Sequence, residues 1–552
     1  MLLTAIKVKL AAMVVVAGIN TDEIKDISPE MKSTLEQLAA DQKNTEKDVN
    51  ASLTAALTKI RELAENGDKD ANYTLGRWTA TGVVQGATLP QTIAFYRLAA
   101  DKGQIQAKAE LGQILIQASA QDPEKLKEGV ELIKEAEAGG SNDARLILAK
   151  FHMSGVGGVE HSATKAEQLL QKGSEAGDGN ATFALYQLYG AGVDGPAGTI
   201  LKDDKKALEF LKKAADQGNS EAMRTLGTRY FTGDQGAGTP LVEKNPEKAL
   251  DMFNKAAEKG NSAANLLLSA IYLQGQDDIK RDVKKGLDFL AKAASGNNAA
   301  ALFQLGTFSE SGLGDPDTKE VLLQPNVKNA LDLYRRAAQN GDPRAVFNVG
   351  VYYENGVVVD RDFEKAFQMY RAAANSGVVQ AMHKLGAFYQ SGQGVAQDVV
   401  AARSWYEMGS ENNFAASQVA LGAMYEMGVG TRQNATAAAN QYLLAADQGD
   451  ALAMIRLANM YQRGAATPKA QPDLVRAWTY AKMAVDASNS NQQAVAFLSE
   501  LEKKMSKEQL EESKKIYDQK VKDREAQRGA AAPAGGGAAS GDAKGGKGKG
   551  EK

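Results

Sequence analysis

Three histidines are the residues of this sequence best suited to bind a metal ion or transfer protons, and they lie far apart. They are His152, His161 and His383. No histidine lies at helical spacing from another, and the sequence has no H-E-x-x-H motif, which places two imidazoles on one helix face around zinc. The sequence also contains no cysteine, which excludes zinc thiolate sites, disulfides and thiol nucleophiles. We therefore predict no metal site.

Two other patterns resemble catalytic motifs but lack the partners that the chemistry requires. The Gly-rich segments SGVGGVE and SGQGVAQ have no adjoining Lys-Ser/Thr pair of a phosphate-binding loop. Ser162 and Lys165 form an S-x-x-K pattern, as in penicillin-recognising enzymes, but the S-D-N and K-T-G partners are absent. The sequence therefore predicts no catalytic residue, no cofactor and no enzymatic activity.

The elements that would position any functional residue are short amphipathic helices in a repeated pattern. Ala345, Val349 and Tyr353 recur every four residues and so share one face of a helix. Gly356 is predicted to end this first helix, because glycine commonly follows a helix C-terminus. A second helix of the same kind follows and ends at Gly377. The stretch is a helix-turn-helix repeat.

The same pattern starts eleven times along the chain. Each start is an alanine or serine that follows a glycine or asparagine by four residues: Ala71, Ala107, Ala144, Ala181, Ala222, Ala264, Ala301, Ala345, Ala381, Ser417 and Ala453. Gly350 and Gly386 follow their starting residues by five positions. A glycine there is predicted to let the second helix approach the first closely.

The repeat motif resembles a known family. The patterns A-x3-L-G-x2-Y-x2-G and A-x3-Y-x2-A-A-x2-G are similar to the Sel1-like repeat, a longer-looped relative of the tetratricopeptide repeat. The resemblance implies an all-α, right-handed α-solenoid of about eleven helix-turn-helix repeats. It also implies a non-enzymatic scaffold or adaptor for protein–protein interaction. Some secreted members carry a disulfide in every repeat, and this chain, without cysteine, departs from them.

Composition and the spacing of the repeat motif divide the chain into five segments. They are a signal peptide (1–20), a helical cap with a partial repeat (21–70), the repeat solenoid (71–490), capping helices (491–528) and a disordered Gly/Ala/Lys tail (529–552). The signal is predicted because Lys7 and Lys9 precede the apolar run Leu10–Ala17. The alternative is an N-terminal helix or strand that packs on the first repeat.

The loop inside each repeat varies in length, whereas the turn between repeats does not. From starting residue to the second-helix alanine, the distance is 21 residues in the repeat of Ala345 but 29 in that of Ala301. Loops tolerate insertion at small entropic cost. The long loops after Gly192, Gly233 and Gly312 are therefore expected to line one edge of the array.

The predicted binding surface is the row of residues two positions after each starting residue, which we call the strip. The strip consists of Tyr73, Ala109, Leu146, Phe183, Arg224, Leu266, Phe303, Phe347, His383, Val419 and Ile455. If the first helices line a concave groove, as in tetratricopeptide-like arrays, these side chains face it. The candidate groove residues are then Tyr73, Phe183, Arg224, Phe303, Phe347 and His383, with aromatics as anchors. The alternative is that the strip is half-buried between neighbouring helices.

The charge balance does not favour nucleic acid as a partner. The 552-residue chain has a formal net charge of −3, with 65 basic and 68 acidic residues, so nucleic acid is not expected. A stable membrane anchor is not expected either, because the run Leu10–Ala17 is too short to span a bilayer and the chain has no cysteine for a lipid anchor. We expect a protein or peptide partner. The predicted location is the bacterial periplasm or the exterior after signal removal, or the cytoplasm if the signal reading is wrong. The alternative functions are an envelope enzyme that binds or hydrolyses β-lactams, and an exported factor that binds host proteins or polysaccharide.

Overall fold

A computed structural model describes residues 46–84, 86–119, 122–234, 240–276, 279–467, 470–488 and 492–531. The predicted signal peptide, half of the predicted N-terminal cap and most of the predicted tail lie outside these residues. The chain divides into two compact units, residues 1–289 and 290–552. Among the described residues, no helix has the length and apolar character needed to span a membrane.

The described part of the N-terminal unit is built from successive helices. They are α1 (Glu46–Glu65), α2 (Lys69–Ala80), α3 (Leu89–Asp101), α4 (Ile105–Gln117), α5 (Pro123–Ala138), α6 (Asn142–Ser154), α7 (Ala163–Glu175), α8 (Gly179–Ala191), α9 (Asp204–Asp216), α10 (Ser220–Thr232), α11 (Pro246–Glu258) and α12 (Ser262–Gln274). Helix α13 (Val283–Ser295) contains the boundary between the units.

The C-terminal unit continues the alternation of first and second helices. It holds α14 (Ala299–Ser311), α15 (Val327–Gln339), α16 (Pro343–Asn355), α17 (Phe363–Asn375), α18 (Val379–Ser391), α19 (Val399–Glu411), α20 (Ala415–Met427), α21 (Ala435–Asp447), α22 (Ala451–Gln462), α23 (Leu474–Ala487), α24 (Gln492–Lys504) and α25 (Lys507–Ala531). From α2 to α12 and from α14 to α23, each helix packs on its neighbours in sequence. This order confirms the all-α solenoid of helix pairs.

Two long loops form short antiparallel hairpins. In the N-terminal unit β1 (Val193–Gly195) pairs with β2 (Gly198–Ile200). In the C-terminal unit β3 (Leu313–Gly314) pairs with β4 (Val321–Leu323), with Leu313 opposite Leu323. A 3₁₀ turn, Val156–Gly158, lies in the loop after α6.

The turn between repeats has one conformation throughout, which explains its constant length. All eleven glycines or asparagines that precede a starting residue by four have a positive φ, from 56° at Asn297 to 100° at Gly449. Glycine and asparagine are the residues that adopt this left-handed conformation most easily. The next residue caps the first helix: Asn219 Oδ1, for example, accepts a hydrogen bond from the backbone N–H of Ala222 at 2.7 Å. An insertion here would break both features.

The starting residues form the centre of each helix stack. All eleven residues, including the polar Ser417, are at most 1% exposed. The close approach predicted at Gly350 and Gly386 is present. An added Cβ at Gly386 would lie 2.5 Å from Cε1 of Tyr406 on α19, and one at Gly350 would lie 2.9 Å from the same atom of Tyr370. The small residue therefore makes room for a second-helix ring.

The C-terminal helices cover the end of the last repeat. Ala494 and Leu501 of α24 are buried. Helix α25 packs on α23 through a minority of its described residues. Tyr517 contacts the Trp478 ring with 6.5 Å between centroids and donates a hydrogen bond to Asp486 at 2.6 Å. Most of the side chains described in α25, over residues 507–526, are exposed.

Candidate functional site

An open cleft of about 590 Å³ lies along the first helices of the N-terminal unit. Three successive first helices, α2, α4 and α6, contribute most of its lining. The polar and apolar lining residues include Arg77, Gln106, Glu110, Gln113, Gln117, Ile114, Leu146, Ile147 and Lys150. The volume lies in the range of ligand-binding sites. In this unit the first helices therefore do provide an accessible concave surface.

The polar residues of the cleft follow the period of a single helix. Gln106, Glu110, Gln113 and Gln117 occupy positions i, i+4, i+7 and i+11 of α4 and so form one stripe. The three glutamines are exposed. Amide side chains can both donate and accept hydrogen bonds, which suits a ligand with a peptide backbone. The predicted strip does not include these four residues, although their helical spacing is visible in the sequence.

The strip residues are placed differently from the cleft lining. All are half-buried except Ala109, which is buried. Tyr73, Phe303, Phe347 and His383 each lie 5.4–6.1 Å, between ring centroids, from a second-helix tyrosine. Of the strip, Ala109 and Leu146 line the cleft. These aromatics have a packing role within their repeats, and any binding role is exercised by their remaining exposed surface.

The other two candidate groove residues make local contacts. Phe183 lies 5.4 Å, between ring centroids, from Tyr186 on the same helix. Arg224 forms an ion pair with Glu221 one turn earlier, at 2.9 Å. Both side chains are half-buried. Neither contacts a residue that would give it a chemical role other than surface recognition.

Glu110, which lines the N-terminal cleft, has three polar partners. Its carboxylate accepts a hydrogen bond from the Tyr73 hydroxyl at 2.8 Å and another from the Tyr96 hydroxyl, and Arg77 Nε lies 3.6 Å away. Burial and the neighbouring carboxylate raise the pKa of Tyr73 and of Tyr96 above the usual value of tyrosine. Both hydroxyls therefore stay protonated and act as donors.

A family model decides what these helix pairs are. The Sel1 repeat matches nine times, at residues 142–178, 184–219, 220–261, 262–298, 299–342, 343–378, 379–414, 415–450 and 451–489. The chain belongs to the Sel1 repeat family. The helix pairs that start at Ala71 and Ala107 precede the matched region and share its geometry, including the buried starting alanine.

One solved structure agrees with the fold, and a second belongs to a protein that is also named for Sel1 repeats. A protective antigen of uropathogenic Escherichia coli strains, which displays an SLR fold, is 24% identical, with a TM-score of 0.58 over 88% of this chain and 99% of the antigen. A Sel1 repeat protein from Oxalobacter formigenes is 25% identical and covers 60% of this chain and 89% of its own, with a TM-score of 0.42. No curated protein matches the chain. Sel1 repeat proteins generally serve as non-catalytic scaffolds for protein interaction.

The loops of the Sel1 repeats fold back onto the preceding repeat. An added Cβ at Gly394 would lie 2.2 Å from the carbonyl oxygen of Phe363, at the start of the preceding second helix, and one at Gly430 would lie 2.5 Å from that of Val399. The first hairpin does the same, because the Ser162 hydroxyl donates a hydrogen bond to the carbonyl oxygen of Ala197 at 2.9 Å. Two short loops and the turn of the first hairpin therefore pack on the preceding repeat.

The residues that resembled catalytic motifs have structural partners. Ser162 caps α7, where its hydroxyl accepts a hydrogen bond from the Lys165 backbone N–H at 3.3 Å, and the Lys165 ammonium pairs with Glu160. His152 Nδ1 lies 2.8 Å from the carbonyl oxygen of Glu160. Across the described ranges, no cluster of three or more histidine, aspartate or glutamate side chains is arranged to hold a metal ion.

Proposed function

We propose that this Sel1 repeat protein is an adaptor that binds an extended peptide or protein segment along its first helices. The open cleft on α2, α4 and α6 carries the proposal. Its exposed glutamines suit a peptide backbone, and Leu146 and Ile147 suit apolar side chains. Rigid helices hold these groups in place, which lowers the ordering cost of binding.

In the C-terminal unit, half-buried aromatics of the first helices form the corresponding proposed surface. Phe303 and Phe347 each expose part of a ring, and the Arg344 guanidinium lies 4.3 Å above the centroid of Phe303. Aromatic anchors typically cost about 2 kcal/mol or more of binding free energy when truncated. The pair Phe303→Ala and Phe347→Ala is therefore expected to abolish capture of the partner in a crosslinking pull-down from the native organism.

The control must truncate an aromatic of the same unit outside the first helices. Phe363, the first residue of α17, is half-buried and lies 6.1 Å from Phe388 between ring centroids. Phe363→Ala should retain the partner. Loss of helicity in the Phe303/Phe347 double variant would instead show that these rings serve packing alone.

In each unit, the edge that the long loops are expected to form is the competing surface. Val321 of β4 is 58% exposed, and Leu201, after the first hairpin, is 78% exposed. If the partner is retained by the Phe303/Phe347 double variant and lost when residues 313–326 are shortened, the groove proposal is wrong and the loop edge is the site. A chromogenic β-lactam assay on the same protein tests the enzyme alternative, and we expect no turnover.

We further propose that the protein acts in the bacterial cell envelope, either in the periplasm or outside the cell. Lys7, Lys9 and the apolar run Leu10–Ala17 support export. N-terminal sequencing of the native protein tests this. Removal of residues 1–17 is expected, whereas an intact Met1 on cytoplasmic protein would contradict export without affecting the proposed groove.

A further inference from the structure

A second cavity, of about 400 Å³, lies in the C-terminal unit, where residues of α20 and α22 line it. We call it the Arg456–Arg463 pocket. Arg456, Met460 and Arg463 occupy positions i, i+4 and i+7 of α22 and just beyond its end, so they share one face. Met427, the last residue of α20, and Glu426 complete the opposite wall. The pocket thus combines two cations with apolar sulfur-containing side chains.

The single carboxylate of the pocket is already engaged. Glu426 Oε2 accepts a hydrogen bond from the Tyr442 hydroxyl at 2.9 Å, and Glu426 Oε1 accepts one from Arg463 Nη2 at 2.8 Å. Arg456 Nη1 is 4.0 Å from Glu426, beyond hydrogen-bond distance. Among the residues that the structure describes, the Arg456 guanidinium makes no hydrogen bond.

The preceding repeats provide an internal reference for this charge arrangement. Glu354 occupies the position of Glu426 two repeats earlier, accepts a hydrogen bond from Tyr370, and pairs with Lys384 at 2.9 Å. Lys384 corresponds to Arg456, and the residue that corresponds to Arg463 is Ser391, which bonds to its own helix. One cation therefore balances the carboxylate there, whereas the Arg456–Arg463 pocket has one cation in excess.

We infer that the Arg456–Arg463 pocket binds a carboxylate of the partner chain, on an acidic residue flanked by an apolar one. The inference rests on the proposed peptide-binding function and specifies its chemistry. Arginine presents a planar fork of donors that matches a carboxylate in two parallel hydrogen bonds. Met427, which is 60% exposed, supplies a surface that adapts to different apolar side chains.

Two labelled peptides test the inference by fluorescence anisotropy on the full chain. One alternates glutamate with leucine, and the other has glutamine in place of every glutamate. The acidic peptide is expected to bind and the glutamine peptide is not. Arg456→Gln and Arg463→Gln should each raise the Kd for the acidic peptide about tenfold or more, as loss of a charged hydrogen bond implies.

Lys384→Gln is the matched control, because it removes the cation at the position equivalent to Arg456 in a repeat without excess charge. It should change the Kd less than about twofold, and circular dichroism should show unchanged helicity in all three variants. Equal affinity of the native chain and Arg456→Gln would overturn the inference. So would displacement of the peptide by sodium acetate at the concentration of the peptide, since the pocket would then be a small-anion site.

The experiment separates this inference from the proposed function. If the Arg456→Gln and Arg463→Gln variants no longer bind the acidic peptide but still capture the native partner in the pull-down, the pocket does not bind the partner. The groove proposal then stands. If the Phe303/Phe347 double variant loses the partner yet binds the acidic peptide with native affinity, both the groove and the pocket are supported.

Discussion

The two units join the helices of a repeat in different ways. In the C-terminal unit a first-helix glycine faces a second-helix tyrosine in four successive repeats, and the tyrosine hydroxyl bonds to a residue four positions after the glycine. The sets are Gly306, Tyr334 and Glu310; Gly350, Tyr370 and Glu354; Gly386, Tyr406 and Gln390; and Gly422, Tyr442 and Glu426. We call this set the Gly–Tyr–acceptor contact.

The N-terminal unit fills most of the same positions with apolar residues. In the repeats of Ala107, Ala144 and Ala181, the tyrosine is replaced by Ile133, Leu170 and Leu211, and the acceptor by Ile116, Met153 and Gly190. A buried hydroxyl requires a hydrogen-bond partner, whereas an aliphatic side chain requires none. Tyrosine and acceptor therefore appear together or not at all within these repeats.

Tyr96 is the informative exception in the N-terminal unit. Its own repeat has Ala80 at the acceptor position, and the hydroxyl bonds instead to Glu110 of the next first helix. The buried tyrosine hydroxyl thus requires an acceptor within hydrogen-bond distance, and this acceptor can come from the same repeat or from the next one. The comparison shows that both kinds of contact build a stable pair, but the polar one depends on every member being present.

The largest effect is expected where the glycine of the polar contact is lost. Gly386→Leu would place Cβ 2.5 Å from the Tyr406 ring, and the overpacking should lower the free energy of unfolding by about 3 kcal/mol. Urea unfolding followed by circular dichroism measures it. Gly190→Leu is the control, since an added Cβ at Gly190 meets no atom within 4 Å. An unchanged unfolding curve for Gly386→Leu would contradict the tight-packing role.

Removal of an acceptor should have the next largest effect. Glu354→Leu leaves the hydroxyl of Tyr370, a fully buried residue, and the Lys384 ammonium without their partner, and should cost about 2 kcal/mol of unfolding free energy. Glu354→Gln keeps an acceptor and should cost less.

The double variant Glu354→Leu with Tyr370→Phe sharpens the comparison, because it imitates the apolar contact of the N-terminal unit. It is expected to recover most of the stability lost in Glu354→Leu, since no hydroxyl then lacks a partner. Additive losses in the double variant would show that the polar contact is intrinsically stronger than the apolar one.

A smaller effect is expected from pH. Burial, with the nearby charge of Lys384, lowers the pKa of His383 to about 4. The unfolded chain therefore binds a proton at a higher pH than the folded one, so stability is complete above about pH 6.5 and falls as the pH decreases toward 4. We expect a loss of about 1 kcal/mol, less than the full shift implies because the ring is partly exposed. His383→Phe should abolish this pH dependence, and a dependence that persists would assign it to carboxylates.

The smallest effect concerns a loop of the C-terminal unit. Val358 has a φ of 67° and is 46% exposed, whereas the corresponding residues of the next two repeats are Gly394 and Gly430. A β-branched residue is strained in this conformation. Val358→Gly should therefore increase the free energy of unfolding by about 0.5 kcal/mol, after the greater chain entropy of glycine is included. The melting temperature should rise slightly. Val357→Gly, which relieves no such strain, should lower it.

Much of the fold was predictable from the sequence. The eleven starting residues, the helix pairs and the close approach at Gly350 and Gly386 were all predicted and are all present. These features depend on residues within one repeat, where helical period and a left-handed glycine or asparagine leave few alternatives. The strip residues are half-buried, apart from the buried Ala109, and whether they bind a partner stays a prediction.

The sequence by itself therefore determined the repeat, its turn and its buried face. Only the tertiary structure decided which residues of different repeats meet. Glu110 joins Tyr73 and Tyr96 across three helices, and Glu426 meets Arg463, 37 residues away. Periodicity places a residue on one face of its own helix, but neighbouring helices decide whether that face is covered. The cleft and the Arg456–Arg463 pocket arise from this contact between repeats.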